Sequence, residues 1–211
     1  MGSEMCIRDR TRRGMEIGFN LSPRTHFRTL PLISGFLGAD LVAAALAADL
    51  PSFPPGTLLV DVGTNGELIL VTEKEFAATS CATGPAFEGA AIRHGMPASS
   101  GAIDSVRFND QAKRLEWTLI QQDPAAPQPP SGLCGSGVIG TVAELLRIGA
   151  ICKNGRFNMD FDSPCLVPAE GTMAFEIVSA ASSRDGRPIL LTQADVRAVQ
   201  LAKGALRAGI E

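Results

Sequence analysis

Apolar residues from Leu58 to Val62 and again from Leu68 to Val71 bracket a short polar stretch, Gly63-Thr64-Asn65-Gly66-Glu67. Aliphatic and β-branched residues favour strand on either side, and Gly66 is expected to permit the turn. Glu67–Thr72 and Phe76–Cys81 follow, split by the charged turn Glu73-Lys74-Glu75. With Leu58–Val62 they predict a three-strand antiparallel meander. Ile103–Phe108 and Leu115–Ile120 predict a further hairpin, turned at Asn109-Asp110. Helical patterns cover the alanine-rich Leu41–Ala48 and also Val138–Ile148, with Val142, Leu145, Leu146 and Ile148 as the apolar face of the second. Thr192-Gln193-Ala194-Asp195 is close to a capping box, and Val196, Val199, Leu201, Ala202, Ala205, Leu206 and Ile210 then keep helical spacing. Phe175–Ser179 and Ile189–Leu191 read as short strands. Pro51–Gly56 and Asp123–Ser131 read as loops, and Arg156–Gly171 as irregular chain. The pattern is α/β or α+β with a mixed sheet.

With 211 residues, 45% of them hydrophobic, the chain can bury one sizeable core or two small ones. A net charge of −3 leaves no basic footprint for nucleic acid or an anionic membrane. No apolar run approaches the roughly 20 residues that span a bilayer; Leu37–Leu50 is interrupted by Asp40 and Asp49. The five cysteines lie far apart with no paired spacing, which argues against a disulfide framework and against zinc or iron–sulfur ligation within this chain. Buried thiols in a reducing cytoplasm are the expectation, and His26 and His94 read as structural polar residues. Residues 1–10 show no periodicity and resemble a translated sequencing-adapter leader, while the last helical pattern runs to Glu211 without a stop signal. The expectation is a fragment truncated at both ends.

Three glycine-rich segments sit at strand ends or helix starts: Asp61–Glu67, Ser80–Ala90 and Gly132–Gly137. Free N–H groups at such places, and the dipole where a helix follows, suit a phosphate. Asp61, at a strand end, is the candidate Mg²⁺-side carboxylate. Thr64 and the amides of Gly63, Asn65 and Gly66 are candidates for phosphate oxygens. Thr83 and Gly84 in the second segment, and Gly135, Ser136 and Gly137 in the third, are further candidates for nucleotide contact. Glu67 and Glu88 are the acids placed to orient a water as general base, or equally to act as structural caps. Cys81 and Cys134 lie in these loops as structural thiols.

An alanine-rich helix, a Pro/Gly break and an apolar strand ending Asp-x-Gly is the order seen in the actin/Hsp70/sugar-kinase ATPase superfamily. More narrowly, LPLISGFLGADLVAAAL (30–46), LLVDVGTNGELIL (58–70), ATGPAFEGAAIRHGM (82–96), GAI (101–103), LCGSGVIGTVAELL (133–146) and LTQADVRAVQLAKGALRAGI (191–210) resemble the C-terminal ATPase domain of reductive activators of corrinoid proteins. The resemblance covers most of residues 29–211; residues 11–28 match poorly and are expected as loop. It implies a ribonuclease-H-like, actin-like α/β fold with a mixed sheet, here the second half of a nucleotide cleft with a strand meander and flanking helices. It also implies ATP and Mg²⁺ as ligands, a [2Fe–2S] cluster in an N-terminal domain missing here, and a corrinoid protein of a methyltransferase system as partner. A cytoplasmic location goes with it, and the resemblance suggests a homodimer. The implied activity returns Co(II) corrinoid to Co(I) at the expense of ATP. The upstream Asp-x-Gly-Thr-Thr-Thr strand and the later Leu-Ala-Gly-Gly-Phe-Gly-type adenosine segment of that family have no counterpart in this chain. Alone it is therefore expected to bind ATP poorly and to be inactive. Alternative readings are a kinase, dehydratase activator or hydantoinase-like ATPase of the same superfamily, or a non-catalytic interaction module of that fold.

Overall fold

The computed structural model describes residues 11–13, 16, 18, 20–121, 123, 125–169 and 171–211; the expected ten-residue leader lies outside the described residues. The chain divides into two compact units. The first takes residues up to Val62, Gly66–Cys81 and Gly209–Glu211. In the region expected as loop, β1 (Thr11–Arg13) and β2 (His26–Arg28) form a two-stranded antiparallel ribbon. Helix α1 (Ala39–Ala47) is mostly small side chains, and Leu41 anchors it. Leu41 is fully buried and joins Leu37, Leu50, Ile69 and Val71 in the unit's core. Left-handed Asp49 (φ 49°) followed by Pro51 ends the helical stretch. Strands β3 (Leu58–Val62), β4 (Asn65–Val71) and β5 (Phe76–Ala82) then lie side by side in meander order. The charged turn after β4 is closed by Thr72, whose hydroxyl donates to the Glu75 carbonyl at 2.6 Å and accepts the Glu75 N–H at 3.0 Å.

The second unit, Gly63–Asn65 with Ala82–Ala208, holds the larger core, with Phe175, Ile103, Leu133, Leu145 and Leu191 fully buried in it. Strands β6 (Ala102–Asn109) and β7 (Arg114–Leu119) pair antiparallel. Their turn is set by Asn109, whose Oδ1 accepts the N–H groups of Gln111 and Ala112 at 2.9 Å each. The two-residue β8 (Gly132–Leu133) adds to the other edge of β6 in parallel, and this makes the sheet mixed. Helix α2 (Gly135–Arg147) starts three residues ahead of the expected Val138. It buries Gly137, Val138, Thr141 and Leu145, and not Leu146, which is 44% exposed. One residue on is about 100° round the helix, so a stripe through 137, 141 and 145 turns Leu146 outward.

Strands β9 (Leu166–Ala169), β10 (Thr172–Val178) and β11 (Ile189–Thr192) form a third sheet, antiparallel throughout. β9 lies in the stretch expected to be irregular. Pro168 disguises it, yet an edge strand tolerates proline. Helix α3 (Gln193–Ile210) buries Asp195, Val196, Val199 and Ala202. Leu201 and Ile210, expected on its apolar face, are 76% and 54% exposed. Leu201 sits about 200° from Val199 on the helix circumference, so it cannot share that face. The capping box at the start of α3 forms as expected: Asp195 Oδ2 accepts the Thr192 N–H, and the Asp195 N–H donates to Thr192 Oγ1.

Glu144 fastens α2 to the sheet. Its Oε1 accepts the Phe108 N–H at 2.7 Å, and its two oxygens take a bidentate pair from Arg147 at 2.7 Å each. The Arg147 hydrogen bond, aided by Phe108 N–H, holds its carboxyl down at about 2, against an ordinary 4.5. A depressed folded-state value stabilises the fold fully above the unfolded pKa, and the contribution disappears as pH falls through the folded one. The expected result is that Glu144→Gln unfolds more readily than wild type above pH ~5 and converges with it towards pH ~2. A wild-type-minus-variant difference that stays constant across urea titrations in that window would refute the assignment.

Candidate functional site

The β3–β4 hairpin pairs Asp61 with Glu67 and Val62 with Gly66, so the turn is Gly63-Thr64-Asn65. Gly66, expected to permit that turn, is a buried strand residue and has no left-handed φ; the loop closes one residue earlier than expected. In the first unit, Asp61 and Glu67 face each other as like charges across the two strands. Burial, then the negative charges of Asp40 and Asp61, raise the Glu67 carboxyl above its ordinary 4.5. Asp40, met in the sequence only as a break in an apolar run, is thus a third acid bearing on this position. The local signal for it was an acid in the first turn of α1.

In the second unit, Thr83 holds the loop. Only 6% exposed, it donates its hydroxyl to the carbonyls of Gly63 (2.6 Å) and Thr64 (2.9 Å). The Gly84 N–H adds a 2.9 Å bond to the Thr64 carbonyl. In a planar trans peptide the carbonyl and the following N–H point in opposite directions. Two carbonyls turned onto Thr83 therefore turn the amides of Thr64 and Asn65 away from it. Glu88 takes up one of these amides, its Oε1 accepting the Thr64 N–H at 2.7 Å. A Cβ at Gly63 would stand 3.4 Å from that same oxygen, at ordinary contact distance. Gly84 has φ +71°, a conformation that L residues rarely take.

Gly63, Thr64, Asn65, Thr83, Gly84 and Glu88 are thus brought together. Gly135 and Gly137 have a different use here: a Cβ on Gly135 would run into the Phe87 carbonyl, and one on Gly137 into the Ile103 carbonyl. Their smallness lets α2 pack against backbone. Ser136 is exposed, and its Oγ lies 3.2 Å from Cys134 Sγ. His94 serves the scaffold, its carbonyl accepting the Leu133 N–H of β8 at 2.8 Å. Burial, then the Arg93 charge, lowers its imidazole pKa from 6.5. Among the described residues no three His, Cys, Asp or Glu side chains converge as a metal centre, and Cys81, Cys134, Cys152 and Cys165 are free thiols. Nor is any helix of the described residues long and apolar enough to cross a membrane.

Residues 56–211 match the family model described as the C-terminal domain of RACo, the ASKHA domain. The chain belongs to this family. It is 36% identical over 205 residues to the corrinoid activation enzyme RamQ of Eubacterium limosum, covering 93% of this chain and 33% of RamQ. It is 35% identical over 138 residues to the [Co(II) methylated amine-specific corrinoid protein] reductase of Methanosarcina barkeri, covering 58% and 26%. A solved structure, the reductive activator for corrinoid, iron–sulfur protein, superposes with a TM-score of 0.81 at 30% identity, over 95% of this chain and 31% of that one. The chain thus spans between a quarter and a third of the length of these relatives. Its mixed α/β architecture is that of an ASKHA domain, and the Thr83-held loop lies wholly within the matched residues.

Proposed function

We propose that this ASKHA domain supplies part of the ATP and Mg²⁺ site of a reductive activator that returns Co(II) corrinoid protein to Co(I). The observation that carries the reading is the loop held by Thr83, whose outward Thr64 amide already accommodates a carboxylate oxygen at 2.7 Å. A phosphate oxygen makes the same demand on that amide, so the residues fit an anion. Thr64 and the amides of Gly63, Asn65 and Gly66 are assigned to phosphate oxygens, backed by Thr83 and Gly84, and of the Gly135-Ser136-Gly137 segment only the exposed Ser136 is kept as a candidate for nucleotide contact. Asp61 is assigned to the Mg²⁺. A nucleotide-bound Mg²⁺ needs only one or two carboxylates besides water and phosphate, and the Asp61–Glu67 pair is a place where a cation relieves repulsion.

Bound Mg-ATP would supply the free energy of phosphoanhydride cleavage to an otherwise uphill reduction. Glu67 is the acid assigned to take a proton from water, as the carboxylate that faces Asp61 across the hairpin. In this reading electrons come from a [2Fe–2S] domain elsewhere in the polypeptide, as the family resemblance implies. The names of the relatives support a corrinoid protein as the partner. A methyltransferase system, a cytoplasmic setting and a homodimer complete the proposal.

The test is calorimetric titration of ATP into the complete polypeptide carrying this chain, with and without Mg²⁺. Asp61→Asn is expected to weaken Mg-ATP binding about tenfold and leave Mg-free ATP unchanged, since one carboxylate contact to the ion is lost. Equal loss with and without Mg²⁺, or none, would remove Asp61 from the ion.

A further inference from the structure

The anion seat of the loop is not simply open: the chain's own Glu88 fills it. We propose that Glu88 is a built-in competitor for the phosphate, a carboxylate that holds the Thr64 amide when nucleotide is absent and must swing away when a phosphate oxygen arrives. The inference rests on the phosphate reading above and goes beyond it by assigning Glu88 a role other than that of a base.

The geometry favours competition over plain structural capping. The Thr64 N–H has its direction fixed by the Gly63 carbonyl in the same peptide plane, which Thr83 holds from the opposite side. A carboxylate oxygen at 2.7 Å occupies the place where an oxyanion would bind, and a single N–H cannot serve both at full strength. Glu88 reaches it across 24 residues of sequence, in a contact exposed to solvent. The carboxylate is also replaceable. Glu88 is exposed, so releasing it returns a charge to water rather than stranding it in the core. Its neighbours are firmer: Ala86 is buried, and the Phe87 carbonyl lies against Gly135 of α2. Gly84 and Gly89, both with positive φ, bound the short turn, so its backbone course is set while the Glu88 side chain remains rotatable. Bound phosphate would meet a like charge wherever Glu88 lingered, which adds repulsion to occupancy.

The experiment measures Mg-ATP and magnesium tripolyphosphate affinity by calorimetry, in the complete polypeptide, for wild type, Glu88→Gln and Glu88→Ala. Glu88→Gln keeps the size and an acceptor oxygen, so it preserves the turn even if Glu88→Ala does not fold. Exchanging a charge-assisted for a neutral contact is expected to tighten both ligands about tenfold. Tripolyphosphate carries no adenosine, so the gain must appear there too. Unchanged or weaker binding in a folded Glu88→Gln protein, with wild type binding normally, overturns the competitor and leaves the phosphate reading standing. Loss of hydrolysis without a gain in affinity also overturns it, and marks Glu88 as a base. If neither ligand binds wild type or variants, both readings fall.

Discussion

Asp195→Ala is expected to destabilise the second unit by about 3–5 kcal/mol, since it strands buried donors rather than merely removing a contact. Asp195 is only 2% exposed. Its Oδ2 accepts both the N–H and the hydroxyl of Thr192 at 2.7 Å, and its Oδ1 accepts the Arg93 N–H at 2.8 Å. A carboxylate so buried is tolerated because these donors replace water. Alanine would leave the Thr192 amide without its acceptor at the start of α3, and would untie the loop that carries Arg93. The isosteric change Asp195→Asn is a poor rescue, because its NH₂, on whichever side it is placed, meets a backbone N–H, that of Thr192 or that of Arg93. Trp117, the single tryptophan, lies in the same unit and reports its unfolding in urea by fluorescence. A midpoint shift worth less than about 1 kcal/mol would mean water satisfies these groups and the network is dispensable.

This residue also shows where the sequence was legible. The Thr192-to-Asp195 spacing announced a capping box because both partners are local. The second carboxylate oxygen, bound to a backbone group 102 residues away, leaves no local trace. The same division runs through the candidate site. Asp61, Glu67 and the glycine-bearing turn stood out because strand runs flank them, whereas Thr83 could be named only as a member of a glycine-rich segment. Its clamp on the Gly63 and Thr64 carbonyls is a tertiary contact. Glycine was the hardest letter to interpret, since it serves turns, anion loops and close backbone approach alike. Gly66 reads as a turn residue and lies in a strand; Gly135 and Gly137 read as ligand-lining and accommodate neighbouring carbonyls. The hairpins were legible through aliphatic and β-branched runs with polar turns, but the two-residue β8 is too short to carry a pattern at all.

The close approach at Gly137 yields the second large effect. In an exposed helix interior, glycine to alanine should stabilise by about 1 kcal/mol, through backbone entropy alone. Helix α2 carries two glycines beyond its first residue, and they should respond with opposite signs. Gly140 has open space for 4 Å around the place a Cβ would take, so Gly140→Ala is expected to gain close to the full propensity effect. Gly137 faces the Ile103 carbonyl, whose carbon lies 3.0 Å from the place an alanine Cβ would take, with Leu133 Cδ2 at 3.5 Å. That carbonyl cannot retreat freely, because it also accepts the Cys134 N–H at 3.1 Å and faces the Cys134 thiol at 3.3 Å. Gly137→Ala must therefore push α2 off β6 or bend the strand, and is expected to cost about 2–4 kcal/mol despite its better helix propensity. Measured in urea through Trp117, a stabilised Gly140→Ala beside a destabilised Gly137→Ala isolates packing from propensity. Equal shifts in the two variants would show that the backbone yields at Gly137. The consequence reaches the candidate site, since the start of α2 at Gly135 lies against Phe87, the neighbour of Glu88. A displaced α2 should thus loosen the 2.7 Å contact between Glu88 and the Thr64 amide, seen as faster hydrogen exchange at Thr64 in Gly137→Ala and not in Gly140→Ala.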